Sequence, residues 1–390
     1  MENALSIVTN INGITRKGGS TMINNRLVLD GHKLLWHKDR VNAWLAGERI
    51  APITVDLALT RSCNYKCEYC YGQLQENPRK KITKDVIYRF FDDAAEIGVK
   101  GVSFISDGES PCSNIYTDAI VKGSENGISM AMASNGSLIT HEDFEKILPH
   151  MTYLRFTFSA GEPKRYSEIM GVPEDYFYKV CENIKKAVEI KRKNNLKVTL
   201  GMQMVLLPHY KDQIMPLAKL AKELGVDYLV IKHCSDDEKG TIGVDYDGYT
   251  SLYDTLKEAE KLSTDKYLVK VKWSKIKDAG SRKYTQCYGP PFLIQLSGSG
   301  LVAPCGMFFG EDYKKYWIGN IVDTSFKEIW KSERYWEVMN EIASPKFNAK
   351  KMCGCLCIQH YINGFLWDTK QNGDTVVIPE GNPPEHINFI

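Results

Sequence analysis

The sequence predicts an α/β protein: a partial (β/α)6, TIM-like barrel followed by a small α+β domain. Six strand-then-helix units alternate between residues 51 and 275 of the 390-residue chain, which indicates a parallel sheet. Six units are too few for a closed eight-stranded barrel. From about residue 284 the alternation gives way to a hairpin and a helix, and five of the eleven cysteines lie in this part.

We expect three segments along the chain. Residues 1–50 are a lead-in, with a hairpin that turns at Asp30-Gly31 and a short helix that ends at Gly47. Asp-Gly is a frequent hairpin pair, and Gly commonly ends a helix. Residues 51–275 are the partial-barrel core. Residues 276–390 are the small cysteine-containing domain and a tail.

The six expected strands of the core are short apolar runs next to turn-forming residues. They lie at residues 53–60, 101–106, 128–134, 152–159, 197–207 and 227–234. The helices between them are longer segments with apolar residues at helical spacing. They lie at residues 83–98, 114–127, 140–148, 173–194 and 211–225, with one more at 245–261. Functional residues of such folds follow the carboxyl ends of the strands.

The C-terminal part has a different pattern. Residues 291–305 predict a hairpin with Gly298–Gly300 in its turn, and residues 325–342 predict a helix. A segment with three more cysteines follows at residues 351–364. A hairpin and a later loop can together bring distant cysteines to one place.

Composition and charge argue against several classes of protein. The formal net charge of +2 does not suit an extended nucleic-acid surface or a polybasic membrane patch. No apolar run reaches the length of a membrane span, and the first residues lack a signal-peptide pattern. We therefore expect a cytoplasmic protein with no nucleic-acid or membrane partner. Its cysteines are then reduced, and their clustering favours metal ligation over disulfides.

The first cysteine set follows the first strand directly. Cys63, Cys67 and Cys70 lie within eight residues, at the expected mouth of the barrel. A helix with a cysteine stripe has similar spacing, but the preceding strand and the polar residues between the cysteines speak against it. A structural zinc ion usually takes four protein ligands, and no fourth lies close by. Three thiolates on a [4Fe-4S] cluster leave one iron free for a small chelating molecule.

This stretch resembles the radical SAM superfamily. The family signature is C-x3-C-x-aromatic-C after the first strand, and Tyr69 is the aromatic residue here. After the second strand, "SDGESP" stands where the family usually has Gly-Gly-Glu-Pro, so that Gly108 and Glu109 match and Asp107 replaces a glycine. The resemblance implies that Glu109 and nearby backbone bind the amino group of S-adenosylmethionine (SAM), with the Asp107 side chain close to that group.

The resemblance extends to the next two strand ends. Residues 133–139 resemble the family's Thr-Asn-Gly-Thr segment, and residues 155–163 resemble its Ser-Leu-Asp segment. It implies that Ser134, Asn135 and Ser159 contact the ribose or carboxylate of SAM, although an Asn-Gly pair also forms plain turns. It also implies an external one-electron reductant such as a flavodoxin or ferredoxin.

The second cysteine set resembles the twitch domain, the shorter relative of the SPASM domain. Cys287 and Cys305 enclose the expected hairpin, and Cys353, Cys355 and Cys357 follow. The resemblance implies one auxiliary [4Fe-4S] cluster, since a second cluster would need more than these five cysteines. Its ligands would be Cys287, Cys305 and two of the last three. A structural zinc site is the alternative.

Cys234 ends the sixth strand, where side chains point to the barrel mouth. Some radical SAM epimerases return a hydrogen atom from a cysteine at such a place, which makes Cys234 a candidate catalytic residue. A small buried thiol is the alternative. Lys232 faces the same side because strand side chains alternate. Lys232, Asp236 and Asp237 are candidates for binding a polar substrate.

These features predict a radical SAM enzyme of the oxidoreductase or isomerase type. Reductive cleavage of SAM gives a 5′-deoxyadenosyl radical, which takes a hydrogen atom from the substrate. The lead-in, residues 1–50, is short for a domain that binds a peptide leader, which favours two-electron oxidation of a small polar substrate. An epimerase or cross-linking maturase for a peptide or small molecule, with Cys234 as hydrogen donor, is the second hypothesis. A non-catalytic zinc or iron–sulfur protein is the third.

Overall fold

The structure is a computed structural model that describes residues 27–355, 357–373, 376, 378 and 381–390. Its strands are β1 Thr54–Leu57, β2 Gly101–Phe104, β3 Ser129–Ser134, β4 Met151–Thr157, β5 Thr199–Leu206, β6 Tyr228–His233, β7 Leu268–Val271, β8 Leu293–Leu296, β9 Leu301–Ala303 and β10 Gly319–Asn320. They form one ten-stranded sheet in the order β10-β9-β8-β1-β2-β3-β4-β5-β6-β7.

Helices cover the outer face of this sheet. The α-helices are α1 Lys38–Leu45, α2 Lys84–Ile97, α3 Tyr116–Glu125, α4 His141–Ile147, α5 Pro163–Met170, α6 Asp175–Lys193, α7 Ile214–Leu224, α8 Tyr253–Glu260, α9 Trp273–Asp278, α10 Phe326–Lys331, α11 Glu333–Ile342, α12 Ala349–Met352 and α13 His360–Asn372. In the described part of the chain, none of them has the length and apolar character that crossing a membrane requires.

The parallel part of the sheet is a partial barrel. Strands β1 to β7 pair in chain order, each parallel to its neighbours. Every residue of β2 and β5 is buried, as expected when helices cover one face and the other faces the interior of the barrel. The order begins at β10 and ends at β7, so the sheet is open. The predicted fold class is confirmed.

Two elements differ from the sequence-based expectation. The short strand β7 adds a seventh parallel strand that the pattern did not indicate. The hairpin expected at Asp30-Gly31 is absent from the described residues: Leu27 bridges to Glu385 instead, and Leu34–His37 is a 3-10 turn that leads into α1. Leu34 is fully buried in a cluster with Val41 on α1, so packing against the helix takes the place of a second strand.

The C-terminal hairpin extends the core sheet rather than standing apart from it. Strands β8 and β9 pair antiparallel, as predicted. On its other side β8 pairs parallel with β1, and Leu293 faces Thr54. At the turn, a Cβ on Gly298 would lie 2.1 Å from the carbonyl carbon of Thr60. Only a glycine permits this approach, so the turn rests directly on the loop that leads to the first cysteines.

The last residues of the chain cover the amino-terminal end of the barrel. Thr54 Oγ1 donates a hydrogen bond to the carbonyl of Asn388 at 2.7 Å. The rings of Phe389 and Tyr153 have their centroids 5.0 Å apart. A Cβ on Gly101 would lie 2.6 Å from the Asn388 carbonyl oxygen. This tail therefore forms a floor under the lumen, opposite to the loops that follow the strands.

Candidate functional site

The first cysteine set lies in the loop after β1. The Cys70 amide donates to the Cys67 carbonyl at 3.1 Å, and the Glu68 amide donates to the Ile169 carbonyl of α5 at 3.0 Å. Burial raises the pKa of the Cys67 thiol, and the neighbouring Cys70 and Cys63 thiols raise it further. The three thiols therefore act on one another through their charges. Metal binding at these thiols would release protons.

The backbone around this loop leaves room at the sulfurs. A Cβ on Gly72 would lie 4.0 Å from Cys70 Sγ and 3.4 Å from Asp107 Cα. A Cβ on Gly171 would lie 2.3 Å from the Lys66 carbonyl oxygen, so the loop is pressed against the end of α5. Three soft thiol ligands in one loop fit an iron–sulfur cluster with three protein ligands.

Glu109, after β2, is joined to the end of β3. Its carboxyl oxygens accept hydrogen bonds from Ser134 Oγ and from the Asn135 amide, the latter at 3.0 Å. Only 6% of Glu109 is exposed, and burial raises its pKa to about 7. The Asn135 side chain donates to Asn64 Oδ1 at 2.9 Å, next to Cys63. The structure thus brings Glu109, Ser134 and Asn135 together beside the cysteine loop.

Gly108 and Asp107 connect this loop to its surroundings. Gly108 has φ 113°, and a Cβ there would lie 2.1 Å from the Thr60 carbonyl oxygen. The Asp107 carboxyl accepts hydrogen bonds from the Gly298 amide at 2.7 Å and from Asn77 Nδ2 at 3.1 Å. Asp107 was expected near the SAM amino group, but its carboxylate is used to fasten the loop to the β8–β9 turn.

Tyr69 and Ser159 form a second pair in this region. Ser159 Oγ donates to the Tyr69 hydroxyl at 3.1 Å and accepts from the Val205 amide at 3.2 Å. The Tyr69 hydroxyl donates to Met170 Sδ at 3.1 Å. Burial raises the pKa of Tyr69 well above its usual range. Ser159 therefore holds the aromatic residue of the cysteine motif in place, apart from the Glu109 group.

Cys234 lies just after β6 and is 1% exposed. Its amide contacts the Leu206 carbonyl at 2.8 Å and the Tyr249 hydroxyl at 2.9 Å. Burial raises the pKa of its thiol to about 12; the Lys232 charge opposes that rise, and Cys70 adds to it. The pKa of the Cys234 thiol thus responds to the charges of both Lys232 and Cys70.

Four of the five C-terminal cysteines line one cavity. The space between its walls, with the solvent at its mouth included, is about 430 Å³, and its cysteines are Cys287, Cys305, Cys353 and Cys357. Burial raises the pKa of the Cys287 thiol to about 12, and Cys357 raises it further. The pKa values of Cys305 and Cys353 are raised by burial as well. Four thiols around an apolar cavity fit a fully ligated iron–sulfur cluster.

Side chains on α13 and before β8 bind the sulfurs of this cavity. Asn363 Nδ2 donates to Cys287 Sγ at 3.2 Å, and the Tyr284 hydroxyl lies 3.6 Å from Cys357 Sγ. Gln359 donates to the Leu293 carbonyl at 2.6 Å, which fixes the cavity wall to the hairpin. Hydrogen bonds of this kind orient cluster ligands and tune their potential.

Cys355 lies outside that cavity. It lines an adjoining pocket with His233 and Lys275, and Cys357 borders both cavities. A Cβ on Gly280 would lie 2.1 Å from the Cys355 Sγ. The preceding Gly354 packs on the loop after β6, where an added Cβ would lie 2.1 Å from the Asp237 carbonyl carbon. The second cysteine set is therefore in direct contact with the loop after β6.

Asp236 and Asp237 accept hydrogen bonds from backbone amides within the loop after β6. The Asp236 carboxyl accepts from the amides of Ile242 at 2.9 Å and Gly243 at 2.8 Å. The Asp237 carboxyl accepts from the Thr241 amide at 2.9 Å. These two carboxylates were expected to bind substrate, but their oxygens are used to shape the loop.

Comparisons with known proteins agree with this geometry. The family model of the Radical SAM superfamily matches residues 57–231. Residues 57–231 therefore form a radical SAM domain. The SPASM model, described as an iron–sulfur cluster-binding domain, matches residues 287–357. The predicted family and its C-terminal cluster domain are thus confirmed. These two domains imply a SAM-binding [4Fe-4S] cluster, SAM itself and an auxiliary cluster, as expected.

Two curated relatives and a solved structure show how far the likeness reaches. The "Tungsten-containing aldehyde ferredoxin oxidoreductase cofactor-modifying protein" of Pyrococcus furiosus is 23% identical over 72% of this chain and 81% of its own. The "AdoMet-dependent heme synthase" of Methanosarcina barkeri is 24% identical over 78% and 88%. Streptococcus suis SuiB bound to S-adenosylmethionine has a TM-score of 0.58 at 17% identity, covering 76% of this chain and 70% of its own. The likeness to the solved structure shows that this chain shares its fold. Its radical SAM domain is that of an enzyme family.

Sequence reasoning missed several residues that the structure places at these sites. Asn64 and Asn77 lie between the loops, and their only sequence signal is proximity to the motif cysteines. Arg155 on β4 and Lys272, directly after β7, lie on the lumen side of the sheet. A charged residue within a buried strand was the signal that could have revealed them.

Proposed function

We propose that this radical SAM enzyme oxidises a small polar substrate by two electrons. When bound, SAM and the reduced cluster supply a 5′-deoxyadenosyl radical, and the auxiliary cluster supplies an acceptor for the second electron. The chain holds these groups and keeps water from the reaction. A small substrate is supported by the names of two relatives, a heme synthase and a cofactor-modifying protein.

The residues after β1, β2 and β3 are proposed to bind the cluster and SAM. Cys63, Cys67 and Cys70 ligate three irons. Glu109 in its charged form accepts hydrogen bonds from the SAM amino group, and Ser134 and Asn135 hold that carboxylate. The same loops present backbone groups for the ribose. Tyr69, braced by Ser159, forms a wall of the pocket.

The auxiliary cluster is proposed to be bound by the four thiols of the 430 Å³ cavity. The contact between Gly354 and the Asp237 backbone is the main observation in favour of an oxidation. It puts the second cysteine set against the loop at the barrel mouth, where a substrate radical would form. An electron acceptor so placed suits net oxidation.

Anaerobic reconstitution followed by turnover tests the proposal. The protein should bind about eight irons, four for each cluster, and form 5′-deoxyadenosine from SAM with dithionite, or with flavodoxin or ferredoxin as reductant. One oxidised product, two hydrogens lighter, should appear for each 5′-deoxyadenosine. A colourless zinc protein that does not cleave SAM would refute the enzyme, and a product of unchanged mass would refute the oxidation.

Epimerisation is a second candidate, favoured by the position of Cys234 directly after β6, two residues beyond Lys232. In that reaction the Cys234 thiol would return a hydrogen atom to the opposite face of the substrate radical. Cys234→Ala should then cleave SAM but stop hydrogen return, and solvent deuterium should no longer enter the product. Cys181→Ala is the matched control, because it removes another buried thiol. Unchanged deuterium incorporation in Cys234→Ala would contradict this role.

A further inference from the structure

The lumen of the barrel holds an unusual group of cations. Arg155 on β4, Lys232 on β6 and Lys272 after β7 lie on the lumen side of the sheet, since strand side chains alternate and the residues next to them face outward. Those neighbours, Leu154, Phe156, Ile231 and Val271, belong to the main core between the sheet and its helices. We call Arg155, Lys232 and Lys272 the lumen cations.

The lumen cations form no ion pair in the described part of the chain, although Asp56 acts on Arg155 and Asp30 on Lys272 through their charges. Arg155 Nε is buried without a hydrogen-bond acceptor. No hydrogen bond or ion pair of the Lys232 or Lys272 ammonium is found among the described residues, and neither residue has an interaction left unstated. A buried guanidinium nitrogen without an acceptor is costly, so its retention calls for a ligand.

The lumen cations also repel one another. Lys270 pairs with Val230 across β6 and β7, and the Lys272 amide donates to the Ile231 carbonyl at 2.9 Å, so Lys232 and Lys272 lie side by side on adjacent strands. Like charges in such positions destabilise a sheet. Burial lowers the pKa of Lys232 to about 7, and the charges of Lys275 and Arg155 lower it further.

The two carboxylates nearby are already engaged. Gln295 Nε2 lies 3.4 Å from one Asp56 oxygen, and Ser103 donates to the other. Asp30 accepts from Ser274 Oγ at 2.7 Å and from the Tyr361 hydroxyl at 2.6 Å. With Lys270 and Lys275, five basic side chains therefore face two carboxylates that have other hydrogen-bond partners. The remaining positive charge is available to a ligand.

The lumen is closed at one end and adjoins the cluster site at the other. The tail forms its floor, where the His386 ring stacks on Tyr153 at 5.0 Å and Phe389 packs on the same ring. At the upper end, Cys234 directly follows β6, and the cysteine loop follows β1 at the same edge of the parallel sheet. A molecule held by the lumen cations would therefore lie between the floor and the SAM-binding loops.

We propose that the lumen cations form a subsite for an oxyanion, so that the substrate carries a carboxylate or phosphate group. The Arg155 guanidinium binds two oxygens of that group, and Lys232 and Lys272 neutralise its remaining charge. The rest of the substrate extends toward Cys70 and Cys234. This inference rests on the proposed function, because it names the class of substrate for that same site.

Anion binding tests the subsite without SAM cleavage. Inorganic phosphate and succinate are titrated calorimetrically into the reconstituted protein at constant ionic strength, and the better probe shows which oxyanion fits. Arg155→Gln and Lys232→Gln should each weaken binding roughly tenfold or more. Arg155→Lys, which keeps the charge, should recover part of it, and Arg49→Gln, a half-exposed surface cation, should bind as the wild type does. No saturable binding by the wild type, or equal binding by all variants, overturns the proposal.

Turnover separates failure of the subsite from failure of the proposed function. A small-molecule extract is divided on an anion exchanger, and 5′-deoxyadenosine is measured with each fraction. The retained, anionic fraction should stimulate the wild type and the Arg49→Gln variant but not Arg155→Gln. Stimulation by the unretained fraction alone, or a weaker SAM affinity in Arg155→Gln, overturns the subsite. A wild type that forms no 5′-deoxyadenosine under any condition refutes the proposed function instead.

Discussion

The affinity for SAM should depend on pH through Glu109. In the structure its carboxyl is almost fully buried, and burial raises its pKa from 4.5 to about 7 against the opposing hydrogen bonds from Ser134 and Asn135. The charged form is the one that binds an ammonium group. At pH 6 about one Glu109 in ten is charged, and at pH 8 about nine in ten are. The dissociation constant of SAM should therefore rise roughly tenfold from pH 8 to pH 6.

Stability should change with pH in the opposite sense. Folding raises the pKa of this carboxyl from 4.5 to about 7. Between these two pH values the folded protein still holds the proton, whereas the unfolded chain has released it. The folded state is therefore favoured below this window and loses that advantage as pH rises through it. The full effect for Glu109 is roughly 3 kcal/mol. Glu109→Gln should remove this slope, because an amide does not titrate.

Equilibrium dialysis of labelled SAM against the oxidised, reconstituted protein measures the affinity, and urea denaturation at each pH measures the stability. Glu109→Gln should bind SAM weakly with no dependence on pH. Glu125→Gln, which removes an exposed carboxyl on α3, should keep both slopes. A flat SAM affinity in the wild type, or an unchanged slope in Glu109→Gln, would refute the reasoning.

Three further changes test other contacts. Gly108→Ala should lower SAM affinity and thermal stability, because the added methyl group meets the Thr60 carbonyl. Gly127 has φ 75° and nothing within 4 Å, so Gly127→Ala should lower the free energy of unfolding by only about 1–2 kcal/mol. Equal losses in the two variants would contradict the steric argument. Cys353→Ala should retain about four irons, and Cys355→Ala should retain about eight. Iron and sulfide analysis measures this, and the reverse result would exclude the proposed ligand set. Asp107→Ala leaves the Gly298 amide without its acceptor and should lower the free energy of unfolding by about 1–3 kcal/mol; an unchanged denaturation midpoint would show that the contact contributes nothing.

The main features of the core could be predicted because their signals are local. Strands β1 to β6 are apolar runs bounded by turn-forming residues, and the cysteine spacing after β1 is a compact motif. Strand β7 was missed because its four residues, Leu268–Val271, include a lysine that points into the lumen. In a short strand, such a residue suggests a solvated loop rather than a buried sheet.

The contacts between distant segments could not be predicted. Nothing in residues 293–296 alone indicates that they pair with β1 as well as with β9. The choice among Cys353, Cys355 and Cys357 was also beyond the sequence, since alternating cysteines are equivalent by spacing. In the structure, Cys353 and Cys357 line the cavity with Cys287 and Cys305, and Cys355 packs on Gly280.

The pairing of β1 with β8 has a consequence for biosynthesis. Roughly 240 residues separate Thr54 from Leu293, and a ribosome that adds about 5–20 residues per second needs roughly 10 to 50 seconds to make them. During that time one edge of β1 has no strand beside it, and an unpaired apolar edge invites pairing with other chains. Co-expression with chaperones, which cover such an edge while synthesis continues, should therefore raise the yield of folded protein. The cysteine loop takes its final place only after Gly298 has arrived, so cluster loading at this site is an event for the nearly finished chain.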